Sequence, residues 1–221
     1  MKEYYKERAP VYDRVYSYPE RQADLRFLEN YIPQQFNQLN VLEIAAGTGY
    51  WTQFISKTAQ SILATDVTEE VLKNLKSRHL PSNVTTMVID AYALENMPNQ
   101  FDGAFAGLWL SHVPRQRLRE FVLGVHRYMK PGATVLYIDN SPIQRKRLPI
   151  TDMDDFGNTY QDRVLDNGTS YKVLKNFPTR QELLEMVKEV ACDTEHIELE
   201  NFWLFQYKVV CPTTEDNFPD T

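Results

Sequence analysis

Between Asn40 and Asn140, short apolar, β-branched runs alternate with amphipathic or polar stretches, and this rhythm constrains the fold more than any other feature. The runs are Val41–Ala45, Ser61–Thr65, Val84–Ile89, Phe101–Leu110 and Ala133–Ile138. Helix signals fall between them, over residues 50–59, 68–78 and 114–129. Thr68 followed by Glu69 and Glu70 reads as an N-cap with acids in the first turn. Pro114 suits a first helical position, and Lys130-Pro131-Gly132 reads as a helix stop. Strand–helix–strand alternation at this spacing predicts a parallel sheet with helices on both faces.

Two flanks surround that core. The first 33 residues are helical in pattern, with Leu25, Phe27, Leu28, Tyr31 and Ile32 as packing positions and an end at Pro33. Their first 18 residues hold five of the 13 tyrosines. Residues 141–177 form a polar insertion with a hairpin turn at Asp166-Asn167-Gly168. Thr179 to Ala191 then reads as a helix, Thr179 capping it and Glu182 closing the box. Thr194–Leu199 and Phe202–Val210 read as two strands, and the two-residue Glu200-Asn201 link between them requires an antiparallel pair. The last ten residues read as a loose tail. The expectation is one α/β domain over 1–221, with a Rossmann-like, seven-stranded, mostly parallel sheet whose last strand runs antiparallel. Residues 1–33 would be a helical lid, 40–140 the ligand-binding core, 141–177 an insertion on the substrate side, and 178–211 a closing helix and hairpin.

Charge narrows the partners. Twenty-four Lys and Arg against 30 Asp and Glu leave a net charge of −6. An acidic chain has no electrostatic footprint for nucleic acid or an anionic membrane, so neither is expected as a partner. The longest apolar run, Gly103 to Leu110, is too short to span a bilayer. The N-terminal stretch lacks the apolar centre of a signal peptide. Two cysteines, Cys192 and Cys211, make neither a disulfide framework nor a zinc site. These features point to a cytoplasmic protein without a metal, as a monomer or homodimer.

The most informative segment is VLEIAAGTGYWT, Val41 to Thr52. A buried strand ends in a loop with Gly47 and Gly49, and a helix follows directly. Missing side chains let a backbone approach a ligand closely, as in a nucleotide-binding turn. The next strand ends at Asp66, 17 residues after Gly49, where an acid can accept from a ribose diol. The third strand ends at Asp90. Each feature alone also fits a plain turn or a helix cap. Three successive strand tips carrying Glu43 with the glycine loop, then Asp66, then Asp90 fit a ligand edge better.

In these motifs the chain resembles the class I S-adenosylmethionine-dependent methyltransferases, in particular the small-molecule branch that includes the ubiquinone and menaquinone C-methyltransferases. The resemblance covers roughly Tyr4 to Pro142. It implies that the loop Glu43-Ile-Ala45-Ala-Gly47-Thr-Gly49 holds the methionine part of S-adenosyl-L-methionine, with Ala45 standing where the family has its first glycine. It also implies that Asp66, with Val67 beside it, meets the ribose and that Asp90 and Ala91 meet the adenine. FDGAFAGLWLSHVP, containing Gly107, matches the fourth strand and its turn, and HRYMKPGATVLYID matches the fifth. In Tyr4-Tyr5-x-x-Arg8-Ala9-x-x-Tyr12-Asp13 the chain is similar to the family's N-terminal cover, which makes Tyr5, Tyr12 and Arg8 candidates for the cofactor's carboxylate.

Other residues suit the acceptor. His112 lies just past the fourth strand tip, and its pKa near neutrality suits a base for a hydroxyl or thiol. Methyl transfer needs no protein base, which favours the plainer reading of His112 as a cap or pocket wall. Trp109 is expected in the pocket wall. Arg145-Lys146-Arg147 is the one dense basic cluster, and Arg145 or Arg147 would meet a carboxylate or phosphate on the acceptor if it is not simply a solvated loop tip. The acceptor itself is expected to be a small molecule in a concave pocket. Two alternatives remain. A dinucleotide-binding oxidoreductase shares the fold, but Gly47-x-Gly49-x-x-Thr52 lacks the third glycine of that fingerprint. A non-catalytic S-adenosylmethionine-binding module would keep every motif named here.

Overall fold

The computed structural model describes residues 2–94, 97 and 100–210. Its centre is a seven-stranded sheet. The strands are β1 (Asn40–Ile44), β2 (Ser61–Asp66), β3 (Val84–Val88), β4 (Phe101–Gly107), β5 (Met129–Asn140), β9 (Ala191–Glu198) and β10 (Phe202–Val209). Their order is β3-β2-β1-β4-β5-β10-β9. β1 pairs in parallel with both β2 and β4, and β10 runs antiparallel to β5 and β9. The chain therefore starts mid-sheet, winds outward to β3, and returns to β4 on the other side of β1. That reversal opens a crevice beyond the carboxyl ends of β1 and β4, where folds of this class hold ligands.

Period-two alternation explains the central strands. Leu42, Ala104, Val135 and Tyr137 face one hydrophobic cluster, and Val41, Phe105, Leu136 and Ile138 face the other. Strands buried on both sides need continuous apolar runs, which is why they stand out in the sequence. Helices α2 (Gln22–Gln35), α3 (Thr52–Ile55), α4 (Glu69–Lys76), α5 (Leu118–His126) and α6 (Arg180–Met186) flank the sheet, and α1 (Lys2–Arg8) opens the chain. α6 begins as expected, with the Thr179–Glu182 capping box in place.

Several boundaries differ from expectation. α2 runs through Pro33 to Gln35, and Phe27, expected to pack, is 40% exposed and lies beside Tyr31 on the outer face. Pro114 precedes a 3-10 turn over Arg115–Arg117 rather than the α-helix itself. Lys130-Pro131-Gly132 does not end a helix: α5 stops at His126, and β5 begins at Met129 and passes through this segment with a register shift, Gly132 taking φ +78°. α6 ends at Met186, five residues short of Ala191. Thr68 occupies the N-cap position of α4, but its side chain makes no capping bond. The insertion is a second, three-stranded antiparallel sheet of β6 (Asp152–Met153), β7 (Thr159–Val164) and β8 (Ser170–Leu174), with the turn at 166–168 joining β7 to β8. The expected C-terminal tail and Cys211 lie outside the described residues, and Cys192 is exposed and free. Among the described residues, no helix is long and apolar enough to cross a membrane and no cluster of metal-ligating side chains occurs.

Candidate functional site

The loop after β1 is held in left-handed backbone conformations, with Ala45 at φ +51°, Gly47 at +57° and Gly49 at +81°. Such angles favour glycine, so Ala45 carries strain that a glycine would not. The two glycines serve different ends. A Cβ on Gly47 would meet only the Tyr12 ring at 3.7 Å, whereas one on Gly49 would lie 2.6 Å from Leu75 Cγ of α4. Gly47 thus borders open space, and Gly49 permits helix packing. Glu43 is buried beneath the loop, where its Oε2 accepts from Thr52 Oγ1 at 2.7 Å. Burial pushes its carboxyl up to about 8.

Above the crevice lies a cavity of about 210 Å³. Asp66 stands on its wall at the tip of β2. One carboxylate oxygen accepts from Gly47 N–H at 3.1 Å and the other from Thr68 N–H at 2.9 Å. Those two bonds tie the tips of β1 and β2 together, and a carboxylate retains lone pairs for a ligand. Burial raises the Asp66 pKa, and the two backbone bonds only partly offset it. Asp90, exposed at the end of β3, accepts from Tyr92 N–H at 2.9 Å. Val67, Ile89, Ala91, Tyr92, Gly107 and Trp109 complete a mainly apolar wall. Glu43 and Gly49, expected at the ligand, do not line this cavity. Trp109 packs beside Tyr92, with ring centroids 6.1 Å apart.

The N-terminal segment covers the cavity. Tyr5 and Tyr12 both line it, and Asp13 fastens the cover by accepting from Thr48 Oγ1 at 2.6 Å and pairing with Arg78. His112 is buried where this cover meets the sheet. Its Nδ1 faces the Leu174 carbonyl at 2.5 Å, and its Nε2 lies 2.7 Å from Tyr5 Oη. A carbonyl can only accept, so Nδ1 carries the proton and Nε2 accepts from Tyr5. Burial, then the cations Lys175 and Arg163, holds the imidazole well below its ordinary range, so it is neutral.

Tyr5, Tyr12, Leu108 and His112 also form one wall of a second cavity, of about 60 Å³. Its remaining wall is cationic, formed by Arg8, Arg21, Arg147, Arg163 and Lys175. Of the basic cluster read in the sequence, Arg147 reaches this cavity, stacked 3.6 Å over the Tyr18 ring and paired with Glu20. Arg145 does not: its guanidinium lies 4.6 Å over the Phe177 ring, and it lines neither cavity. Arg21, Arg163 and Lys175 escaped sequence analysis. Lys175 is buried, donating to Asp139 at 2.7 Å and Ser111 at 2.6 Å. Burial lowers its pKa to about 8, although Asp139 raises it in part.

The sequence pattern of a methyltransferase domain family matches residues 41–132. Curated relatives include the biotin biosynthesis bifunctional protein BioHC of Cellvibrio japonicus (strain Ueda107), 28% identical over 48% of this chain. Phosphoethanolamine N-methyltransferase 1 of Caenorhabditis elegans is 28% identical over 43% of it. In both, the match spans 20% of the relative's length. Among solved structures, the DhpI–SAH complex superposes with a TM-score of 0.78 at 25% identity, covering 94% of each chain. The DhpI–SAM–HEP complex gives 0.76 at 26% identity, covering 93% of this chain and 94% of the other.

Proposed function

This chain belongs to the class I S-adenosylmethionine-dependent methyltransferases, and we propose that it transfers a methyl group from S-adenosyl-L-methionine to a small-molecule acceptor. The observation that carries the reading is the apolar cavity at the sheet's switch point, bordered by a side-chain-free Gly47 and two strand-tip acids. When bound there, the cofactor supplies an electrophilic methyl on a sulfonium. In this reading Asp66 accepts from the ribose hydroxyls and Asp90 faces the adenine, with Val67, Ala91 and Gly107 along the nucleoside. The loop from Ala45 to Gly47, under Tyr5 and Tyr12, holds the amino-acid end. Glu43 supports that loop through Thr52.

Transfer is an in-line displacement, so positioning and exclusion of water supply most of the acceleration. The lid residues Tyr5 and Tyr12 do both. His112 is suited to orienting the acceptor rather than to deprotonating it, since its Nε2 accepts from Tyr5 and its basicity is depressed. The reading therefore favours an acceptor atom that arrives with a free lone pair. Composition and charge support a cytoplasmic enzyme.

Calorimetry with S-adenosylhomocysteine and NAD on the same sample tests the assignment. We expect binding of S-adenosylhomocysteine alone, and Asp66→Ala should weaken it by about 1.5–3 kcal/mol, the range for hydrogen bonds to a charged group. Tight binding of NAD with no response to S-adenosylhomocysteine would overturn the reading. A non-catalytic module would bind S-adenosylhomocysteine but release none from S-adenosylmethionine in the presence of any acceptor.

A further inference from the structure

The small sheet β6–β7–β8 is built inside out. Along β7, Gln161 and Arg163 point inward and are buried, and Lys175 is buried just past β8. Its outward side leaves Met153, Phe156 and Val164 each at least 66% exposed. A sheet stabilised only by packing would show the reverse pattern. The inward charges converge with others from the N-terminal segment. Arg21 and Arg163 are each only 6% exposed. Among the described residues neither has a carboxylate within the 4.0 Å ion-pairing distance, whereas Arg147 has Glu20 and Lys175 has Asp139. Arg163 Nε is buried with no hydrogen-bond partner, and so are the Gln144 and Asn140 side-chain oxygens. Arg21 and Arg147 share the Tyr18 ring. Lys175 lies within electrostatic range of both Arg163 and Arg21.

Buried cations that repel one another and lack counter-ions are a cost that the fold alone does not explain. We propose that this second cavity anchors the methyl acceptor, and that the acceptor carries a small oxyanion, a phosphoryl, phosphonyl or carboxyl group, held by Arg21, Arg147, Arg163 and Lys175. The inference rests on the methyl-transfer reading for the word acceptor. The cation cluster itself stands without that reading. A guanidinium offers paired N–H donors that match an oxyanion's geometry. The volume suits a group of this size, since about 60 Å³ holds a few water-sized units at roughly 10–15 Å³ each. The shared wall of Tyr5, Tyr12, Leu108 and His112 lets an anchored molecule extend toward the larger cavity, where the methyl group would be delivered. The overall charge of −6 makes this concentration of cations local rather than general.

The test is titration of inorganic phosphate, methylphosphonate and acetate into the protein, with and without saturating S-adenosylhomocysteine. At least one should bind, with affinity falling as salt rises. The preference between the tetrahedral ions and acetate identifies the phosphoryl or carboxyl class. Arg163→Met and Arg21→Met should each weaken that binding at least tenfold while leaving S-adenosylhomocysteine affinity within twofold. Lys172→Met, on the outer face of β8, should leave both unchanged. If a methionine variant fails to fold, Arg163→Lys keeps the charge without the paired donors and should weaken the tetrahedral ions by a smaller factor. Binding of S-adenosylhomocysteine with no oxyanion bound, or oxyanion binding indifferent to both arginine variants, would overturn the proposal. Oxyanion binding lost in the variants without any S-adenosylhomocysteine binding would instead uphold the pocket and overturn the methyl-transfer reading.

Discussion

The two cavities share a wall but are built on opposite terms. The larger one takes its polar groups from successive strand tips, and each acid is satisfied by its own neighbouring backbone: Asp66 by Gly47 and Thr68, Asp90 by Tyr92. The smaller one gathers cations from the N-terminal turn, the segment after β5, and β7 and β8, positions up to 154 residues apart between Arg21 and Lys175. Its charges are balanced only at Asp139 and Glu20. Local architecture makes the first pocket self-supporting, whereas tertiary assembly makes the second depend on a few distant pairs.

The largest effect that separates them is expected at Asp139. Asp139→Ala leaves Lys175 buried without its carboxylate and removes the acceptor for Ser111 N–H. A loss of about 3–5 kcal/mol is expected in urea unfolding. A loss below 1 kcal/mol would show that the cationic half is not the strained one.

Glu43 gives the next effect, in the other half. With its carboxyl near 8 in the fold and 4.5 as the ordinary value, the folded state binds more protons between those limits. Its contribution is complete below pH 4.5 and is lost as pH rises through 8, in total roughly 3–4 kcal/mol. Glu43→Gln should flatten that part of the stability profile measured without ligand. An identical profile in the variant would mean that Glu43 is ionised in the fold.

Gly49→Ala forces a methyl to 2.6 Å from Leu75 at φ +81°, with an expected cost of roughly 2–4 kcal/mol from overpacking and backbone strain. Leu75→Ala in the same chain should not add its full cost, since the two changes meet. Full additivity in thermal unfolding would refute the packing role. The smallest change is Ala45→Gly. Relief at φ +51° opposes the greater freedom of glycine in the unfolded chain, for a net shift within about 1 kcal/mol.

The same contrast explains what was legible in the sequence. Strands buried on both faces, the glycine loop and the acids following it are local patterns, and the sheet came out in the expected arrangement. The Thr179–Glu182 box and the turn at 166–168 are equally local. Arg145 and Arg147 drew notice as a charged run, yet only Arg147 turns toward a cavity, because the 3-10 turn over Pro142–Lys146 sends the two in different directions. Arg21 and Arg163 read as ordinary surface residues. The one signal for Arg163 was its period-two relation to Gln161, and nothing local says which face of a polar hairpin is the inner one. Lys130-Pro131-Gly132 misled for a related reason: a helix-breaking triplet also suits an irregular strand start, and pairing of Met129 with Phe101 decides between them.

β10 follows every other described strand in the chain, yet it lies inside the sheet, paired with β5 through seven residues and with β9 on its other side. Synthesis therefore delivers an interior piece after its surroundings. Until Phe202–Val209 arrives, β5 presents a long, largely apolar edge with its backbone groups unpaired, the kind of template on which other chains add. A nascent or truncated chain that stops before residue 202 is thus expected to aggregate rather than to lose one strand quietly. The last described strand decides whether the nucleotide-side half, complete in sequence by residue 140, remains soluble long enough to be used.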